Sequence, residues 1–425
     1  MRFLKSSGAV GLELDTGIIR VVELSGDKHA PSLVAAGEIV IPEDAVSEGV
    51  VADVDAVARA LEELWAKTGI GSREVVLGIS NQGVLMRLAG FPKIPDNKLT
   101  QALRFQAGEY FPIPLAEMVF DHAVVGELDG DNGPQLQILL VAARRELLDK
   151  SLQAVQQASL MPRVVDAAPL ALLRTLPAER LTDPVLLVDI SNGLTTLLLV
   201  AGGVPRFARV IPQSLKSYAR ELNKPLDKLL GTVRQAAAAL QEDLLSTGRA
   251  AERGRPGYCP EQTRAAGEER PIYKPGDNSM DSGPAFNLEK TVDKGQARQE
   301  GRPPVSGHGI GGWPSVGEYA LGAGAMAVEL TGDWELALAN EIRSSIGYYI
   351  AQTGAAAVDA VIISGRGARV AGLPEFLQTE IDVPVEIINP LINIKAPGQV
   401  KGVDLQRKGP DFAVSIGLAL RGLEE

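Results

Sequence analysis

Sulfur and imidazole chemistry is nearly closed to this chain. One cysteine, Cys259, stands in a polar tract among 425 residues, so no disulfide framework holds the fold and a reducing compartment is expected. The three histidines, His29, His122 and His308, are too scattered to form a metal cluster. Neither a GxxxxGK[ST] phosphate loop nor a GxSxG nucleophile elbow occurs, which excludes a P-loop nucleotide site and a serine hydrolase of that type. No apolar run approaches the roughly 18 residues of a membrane-spanning helix. The opening MRFLKSSGAVGLEL has too short an apolar core and too many charges for a signal peptide. Lysine and arginine form no stripe, and a net charge of −11 argues against nucleic acid as a partner. A soluble cytoplasmic protein is expected, its chemistry confined to carboxylates, metal and backbone amides.

What the chain does have is a repeated acidic hairpin. The stretch 185–200, VLLVDISNGLTTLLLV, runs apolar to Asp189, breaks at Ser191-Asn192-Gly193 and runs apolar again. That is the pattern of two buried strands joined by a tight turn. Near the start, GLELDTGIIRVVEL repeats the design with Asp15 and Gly17 in the turn, so the chain reads as two halves that open alike. A third small-residue turn, Ser364-Gly365-Arg366-Gly367, follows the apolar run Ala360–Ile363. Three such turns at strand ends, two of them acidic, can surround a phosphate chain and a hydrated metal. Backbone N–H groups would cradle the phosphates, and the acids would hold Mg²⁺ and its water. Each residue also has a plainer role. Asp15 and Asp189 can satisfy their own turns, Gly17 and Gly193 can meet a need for positive φ, and Thr16, Thr195 and Thr196 can be strand formers or hydroxyl donors to phosphate. Arg20 is expected to cap a strand in solvent.

Along the chain, 45% apolar residues allow two or three domains with a sizeable core. Strands are expected at Val10–Leu14, Ile18–Leu24 and Ser32–Ile41, then a helix over Ala52–Thr68 closed by Gly69 and Gly71, then a buried strand at Glu74–Ile79. From Arg87 to Ala168 the texture changes. A helix over Lys98–Tyr110, a strand pair at Val119–Glu127 and Gln135–Ala142, and a helix over Arg145–Ala158 read as an inserted subdomain. Helices over Ser214–Leu222 and Leu226–Leu245 follow the second hairpin. The tract Gly248–Gly312 is crowded with Gly, Pro, Gln and charge, and is expected to be a disordered, solvated loop. A helix over Trp334–Thr353, the third turn, a helix over Leu373–Ile381, a strand at Val385–Ile388 and a helix over Phe412–Leu423 complete the chain.

Taken together, DTG near the start, DISNG halfway and SGRG late resemble the actin/sugar-kinase/Hsp70 superfamily. Within it, longer segments resemble the PilM family of type IV pilus assembly, itself akin to FtsA. These are VGLELDTGIIRVVEL (10–24), FPKIPDNKLTQALRFQAGEYFPIPLAEMVFDH (91–122), LLVAARRELLDK (139–150), EIRSSIGYY (341–349), VIISGRGARVAGLPEFL (361–377) and AVSIGLALRGL (413–423). The resemblance implies an α/β actin-like ATPase fold, two related lobes around a nucleotide cleft. By it, 1–86 and 169–184 form the first lobe, 87–168 an inserted FtsA/PilM-type subdomain, 185–213 and 334–425 the second lobe, and 214–333 a fourth subdomain. It implies ATP and Mg²⁺ as ligands: Asp15, Thr16 and Gly17 as the first phosphate loop, Asp189, Asn192, Gly193 and Thr195 in the second, Glu341 facing base and ribose, and Gly365, Arg366 and Gly367 on the adenosine side. Asp15 and Asp189 would be the metal-holding and catalytic pair. Three departures stand out. Ser191 replaces the glycine of Asp-x-Gly, Arg366 interrupts the adenosine turn, and LDKLLGTV stands where Ala-Glu-x-x-Lys would hold ribose and adenine.

The function implied is a cytoplasmic platform, peripheral to the inner membrane, that binds the N-terminal peptide of a PilN-like bitopic protein in a groove beside the inserted subdomain. PilO, the assembly ATPases and further copies of the chain would join it, and ATP would be a structural or switching ligand hydrolysed slowly at most. The competing readings are a nucleotide-free pseudo-ATPase scaffold of a related secretion system, a small-molecule kinase lacking an identifiable acceptor-pocket aspartate, and an FtsA-like divisome protein. The last is opposed by the absence of an amphipathic tail after the final helix.

Overall fold

Two five-stranded sheets form the frame, each opened by one acidic hairpin. The computed structural model describes residues 8–130, 133–230, 332–355, 357–395, 403 and 405–424. The first sheet runs in the order Met161–Ala167, Glu74–Ile79, Ala9–Asp15, Ile18–Asp27, Ala30–Val40. The second runs Val385–Ile387, Ala360–Ser364, Val185–Ile190, Thr195–Ala201, Val204–Ile211. Both have one map: the hairpin's first strand pairs parallel to a later strand on one side and antiparallel to its own return strand on the other. The two halves are thus topological copies. In the second hairpin every residue of both strands is buried, as continuous apolar runs require of strands covered on both faces.

Helices cover both faces of the first sheet. On one side lies Val54–Thr68, where the Asp53 carboxylate accepts from the Ala56 amide and Gly69 closes the helix in the left-handed region. Its Val57, Leu61 and Leu64 pack with Val10, Leu12, Ile19 and Val21, each such burial contributing about 2 kcal/mol. On the other side lies the last helix, Ala413–Leu423. It comes so close to the strands that a Cβ on Gly11 would stand 2.1 Å from the Ser415 carbonyl. Val185, Leu187, Leu198, Val200 and Ile362 of the second sheet join Val414 and Leu418 of this helix in a shared core. Helices Asp333–Thr353 and Leu373–Ile381 cover the opposite face of that sheet, around Leu186, Val188, Leu197 and Leu199.

Two expected boundaries are corrected. The inserted unit is a three-stranded sheet, Val84–Pro92, Gly133–Arg144, Met118–Gly130, with the helix Asp96–Tyr110 packed on it through Leu99, Leu103 and Ala107. It ends near Arg144, not at residue 168. The helix Arg145–Gln157 packs on Val54–Thr68, and the half-exposed strand Met161–Ala167 pairs with Glu74–Ile79, so both belong to the first lobe. The closing helix, expected in the second lobe, also returns to the first, because Gly11, Gly78 and Gly417 admit it where side chains would collide. Of the helix expected over Leu226–Leu245, the described part is a short turn at Leu226–Lys228. The rest, like the tract 248–312, lies outside the described residues. Among the described residues no helix is long and apolar enough to cross a membrane.

Candidate functional site

Each acidic hairpin ends its first strand in an aspartate, and the twin topology turns the two ends toward each other. Asp15 and Asp189 line one small cavity of about 30 Å³, together with Glu13, Ser80, Ser191 and Thr196. That volume holds one or two water molecules.

Asp15 spans the gap between the lobes. Its Oδ1 accepts from the backbone N–H of Thr16 at 2.7 Å and of Gly193 at 3.2 Å, and its Oδ2 from that of Asn192 at 3.1 Å. The Asn192 side-chain amide donates back to the Thr16 carbonyl at 2.9 Å. Gly17 has φ 75°, the left-handed conformation its turn demands. Gly193 does not lie in that region; a Cβ there would stand 2.1 Å from Thr16 Oγ1, so its role is close approach of the two loops. Asp189 accepts from the Ser364 hydroxyl and from the Ser191 hydroxyl, both at 2.7 Å. Ser191, which stands where the resemblance calls for glycine, thus becomes a partner of the acid. Burial pushes the Asp189 carboxyl above the usual carboxylate range, against those two hydroxyls.

Behind Asp15 stands a residue whose expected place is overturned. Arg20 is 1% exposed, not a solvent cap. Strand register sets Glu13, Arg20 and Glu38 side by side on three neighbouring strands. Arg20 Nη1 lies 3.0 Å from Glu13 Oε1 and 3.5 Å from Asp15 Oδ2. Burial works against the Arg20 charge, but Glu13 and Asp15 more than offset it and hold the guanidinium protonated. Glu13, which also accepts from the Ser415 hydroxyl at 2.8 Å, is pushed up to about 7 by burial, against the pull of Arg20. The overlooked signal is local: an arginine inside the apolar run IIRVV, in a strand covered on both faces, has to be buried and paired.

The remaining expected residues divide by geometry. Register sets Thr196 opposite Asp189, where it lines the cavity and shares a 3.2 Å hydrogen bond with Ser80. Thr195 pairs with Ile190, one residue out of phase, and its side chain is buried on the other face, away from the cleft. Glu341 is corrected as well. It sits on the helix covering the far face of the second sheet and pairs with Arg209 at 2.8 Å, outside the cleft lining. Gly365 and Gly367 pack directly on Ile190, where Cβ atoms would come within 2.6 and 2.3 Å; they seat the turn and do not line the cleft. Arg366 does line it, donating to Asn192 Oδ1 at 3.2 Å.

In front of the loops opens a cleft of about 860 Å³, lined by Thr16, Gly17, Asn192 and charged side chains. Five of those are cationic, Lys216, Arg220, Lys224, Arg366 and Lys408, against the anionic Glu38 and Glu43. Lys216 pairs with Glu43 at 2.7 Å and Lys408 with Glu38. Arg220, Lys224 and Arg366 have no carboxylate partner among the described residues. In size and charge this cleft fits a nucleotide. The cradle between the loops, in this closed arrangement, does not fit its phosphates: the Asn192 and Gly193 amides already serve Asp15. All four oxygens of Asp15 and Asp189 are hydrogen-bonded, and among the described residues no three His, Cys, Asp or Glu side chains stand where they could hold a metal ion.

Comparison with known proteins agrees with the topology. The family model for the type IV pilus assembly protein PilM matches residues 11–210 and 327–423. Among solved structures, the chain is similar to a PilM-PilN type IV pilus biogenesis complex, at 25% identity and a TM-score of 0.65, over 98% of this chain and 99% of that one. It also resembles the ethanolamine utilization protein EutJ from Carboxydothermus hydrogenoformans, at 12% identity and a TM-score of 0.43 over 97% of this chain and 89% of that one. MreB 5 of Spiroplasma citri, solved with AMPPNP, is similar at 12% identity and a TM-score of 0.39 over 97% and 95%. With its twin acidic hairpins, its inserted three-stranded unit and a family match across both lobes, the chain belongs to the PilM family of type IV pilus assembly proteins and has their actin-like fold.

Proposed function

We propose that this protein is a cytoplasmic platform of type IV pilus assembly, recruited to the inner membrane by binding the N-terminal segment of a PilN-like single-span protein. The observation that carries this reading is the likeness, over nearly the whole chain, to a PilM solved in a complex with PilN. The inserted unit offers a place for such a segment. Its strand Met118–Gly130 pairs on one side only among the described residues, leaving an edge for main-chain addition. Beside the start of that strand, where it meets the end of Gly133–Arg144 and the helix after it, lies a groove of about 410 Å³, lined by Ala116, Glu117, Arg144, Arg145, Asp149 and Gln153. An extended peptide would add to the edge and set one side chain in the groove.

Ala116→Trp tests this directly. Ala116 is exposed, so the larger side chain fills the groove without entering the core. A pull-down or titration with the partner's N-terminal peptide is expected to lose at least about tenfold in affinity, roughly the 1.4 kcal/mol that one well-seated side chain contributes. Unchanged affinity would refute the placement.

In the same proposal, the cleft between the lobes takes ATP as a switching ligand. Arg220, Lys224 and Arg366 would face the phosphates, with magnesium carried in by the phosphates themselves. One observation favours a second reading, a scaffold that works without nucleotide: Asp15 already fills the amide cradle.

A further inference from the structure

We infer that Asp15 is a resident competitor for the phosphate cradle, a carboxylate of the chain itself that holds the two lobes together and has to be displaced before a nucleotide's phosphates can enter. This deepens the reading of the cleft as a nucleotide site and rests on it. The geometry is that of a bound anion. Two successive loop amides from the second lobe, Asn192 and Gly193, converge on the carboxylate from the first lobe, and the Thr16 amide joins them. Successive N–H groups in a turn are the feature that makes phosphate-binding loops, and hydrogen bonds from them to an ionised acceptor are about twice as strong as neutral ones. The latch is reinforced on both flanks. The Asn192 side chain bonds the Thr16 carbonyl, and Gly193 lies so close to Thr16 that no side chain fits between. Arg20, buried behind Asp15, fixes the carboxylate's position and balances its charge.

Charge points the same way. The cleft in front of the loops is lined by five cationic side chains against two anionic ones, so it draws a phosphate toward the loops, and the Asp15 carboxylate opposes its entry between them. The consequence reverses the usual expectation for an aspartate in a phosphate loop. If Asp15 served the ligand, removing its charge would weaken binding; because it stands in the ligand's place, removing its charge strengthens binding.

The test is Asp15→Asn in the full-length protein, with ATP and inorganic tripolyphosphate as separate titrants, with and without Mg²⁺, followed by calorimetry. Tripolyphosphate isolates the cradle from any base pocket. The variant is expected to bind both at least about tenfold more tightly than the wild type, a factor of ten corresponding to 1.4 kcal/mol. Hydrogen exchange of the segment 190–194 supplies an independent readout. Ligand-free wild type is expected to protect the Asn192 and Gly193 amides, the variant to expose them, and tripolyphosphate to protect them again. Weaker binding by the variant than by the wild type overturns the inference while leaving the nucleotide reading intact. No binding by either protein overturns both. Fast exchange of those amides in the ligand-free wild type overturns the inference even if the variant fails to fold.

Discussion

Replacing Arg20 with methionine removes the single cation from a fully buried cluster. The side chain is nearly isosteric along its stem, so packing is largely kept and the change is electrostatic. Wild-type Arg20 is held between Glu13 at 3.0 Å and Asp15 at 3.5 Å. Breaking a buried pair by deleting one partner costs about 3–5 kcal/mol, because the remaining charge is left uncompensated. Two carboxylates lose their partner here, but one has an escape. Burial already holds Glu13 up to about 7 against the pull of Arg20, and without the guanidinium it stays protonated to higher pH. Asp15 keeps its three amide donors. The loss is therefore expected near 3 kcal/mol at pH 6, where Glu13 is neutral, and larger at pH 8.5. Urea denaturation of both proteins at the two pH values measures it. A loss below about 1 kcal/mol at both, the range of an exposed pair, or no difference between them, would refute this account of Arg20. Adding Glu13→Gln to Arg20→Met should recover part of the loss, since it removes one of the stranded carboxylates.

In the wild type, Glu13 should impose a pH dependence of its own. Burial holds its carboxyl at about 7 in the folded chain, against an ordinary glutamate value of 4.5, so between those pH values the folded state holds a proton that the unfolded state has lost. Stability is then highest below pH 4.5 as far as this group is concerned and falls as pH rises toward 7, by about 3 kcal/mol in all. Glu13→Gln should flatten that slope between pH 5 and pH 8, and an unchanged slope would assign it to other groups. Gly417→Ala drives a Cβ to within 1.9 Å of the Ala171 carbonyl, between the last helix and Ala168–Arg174. Overpacking of this kind costs about 1–3 kcal/mol, hence a drop of several degrees in Tm. Gly71→Ala, with open space around it, is the matched control and should leave Tm within about 1 °C of wild type.

Local pattern carried much of the architecture. Apolar runs ending in an acid and a small-residue turn sufficed for both hairpins, and the helix Leu373–Ile381 and strand Glu74–Ile79 are read to the residue. Where the pattern weakens, the reading fails. Met161–Ala167 and Val204–Ile211 are half-exposed strands containing proline and arginine, which dilute both the alternation and the apolar run. At the site, Asp15, Thr16, Asn192, Gly193 and Asp189 come together, but through contacts with one another. Thr195 and Thr196 are adjacent in sequence, and only strand register decides which of them shares a face with Asp189. Glu341 and Arg209 lie far apart in the chain, so their pairing across the outer face of the second sheet left no local trace.

Periodicity and turn chemistry act over a few residues, and by themselves they determined that this chain has two α/β halves, each opening on an acidic hairpin. Tertiary structure decided what those acids do. Asp15 spends its carboxylate on the amides of a loop half a chain away, Arg20 is buried because three strands bring Glu13, Asp15 and Glu38 around it, and the final helix returns to the first lobe because glycines leave room for it. Each depends on which groups the fold brings together, across the cleft for Asp15, between neighbouring strands for Arg20 and between helix and sheet for the last helix, and periodicity within one segment does not encode such contacts.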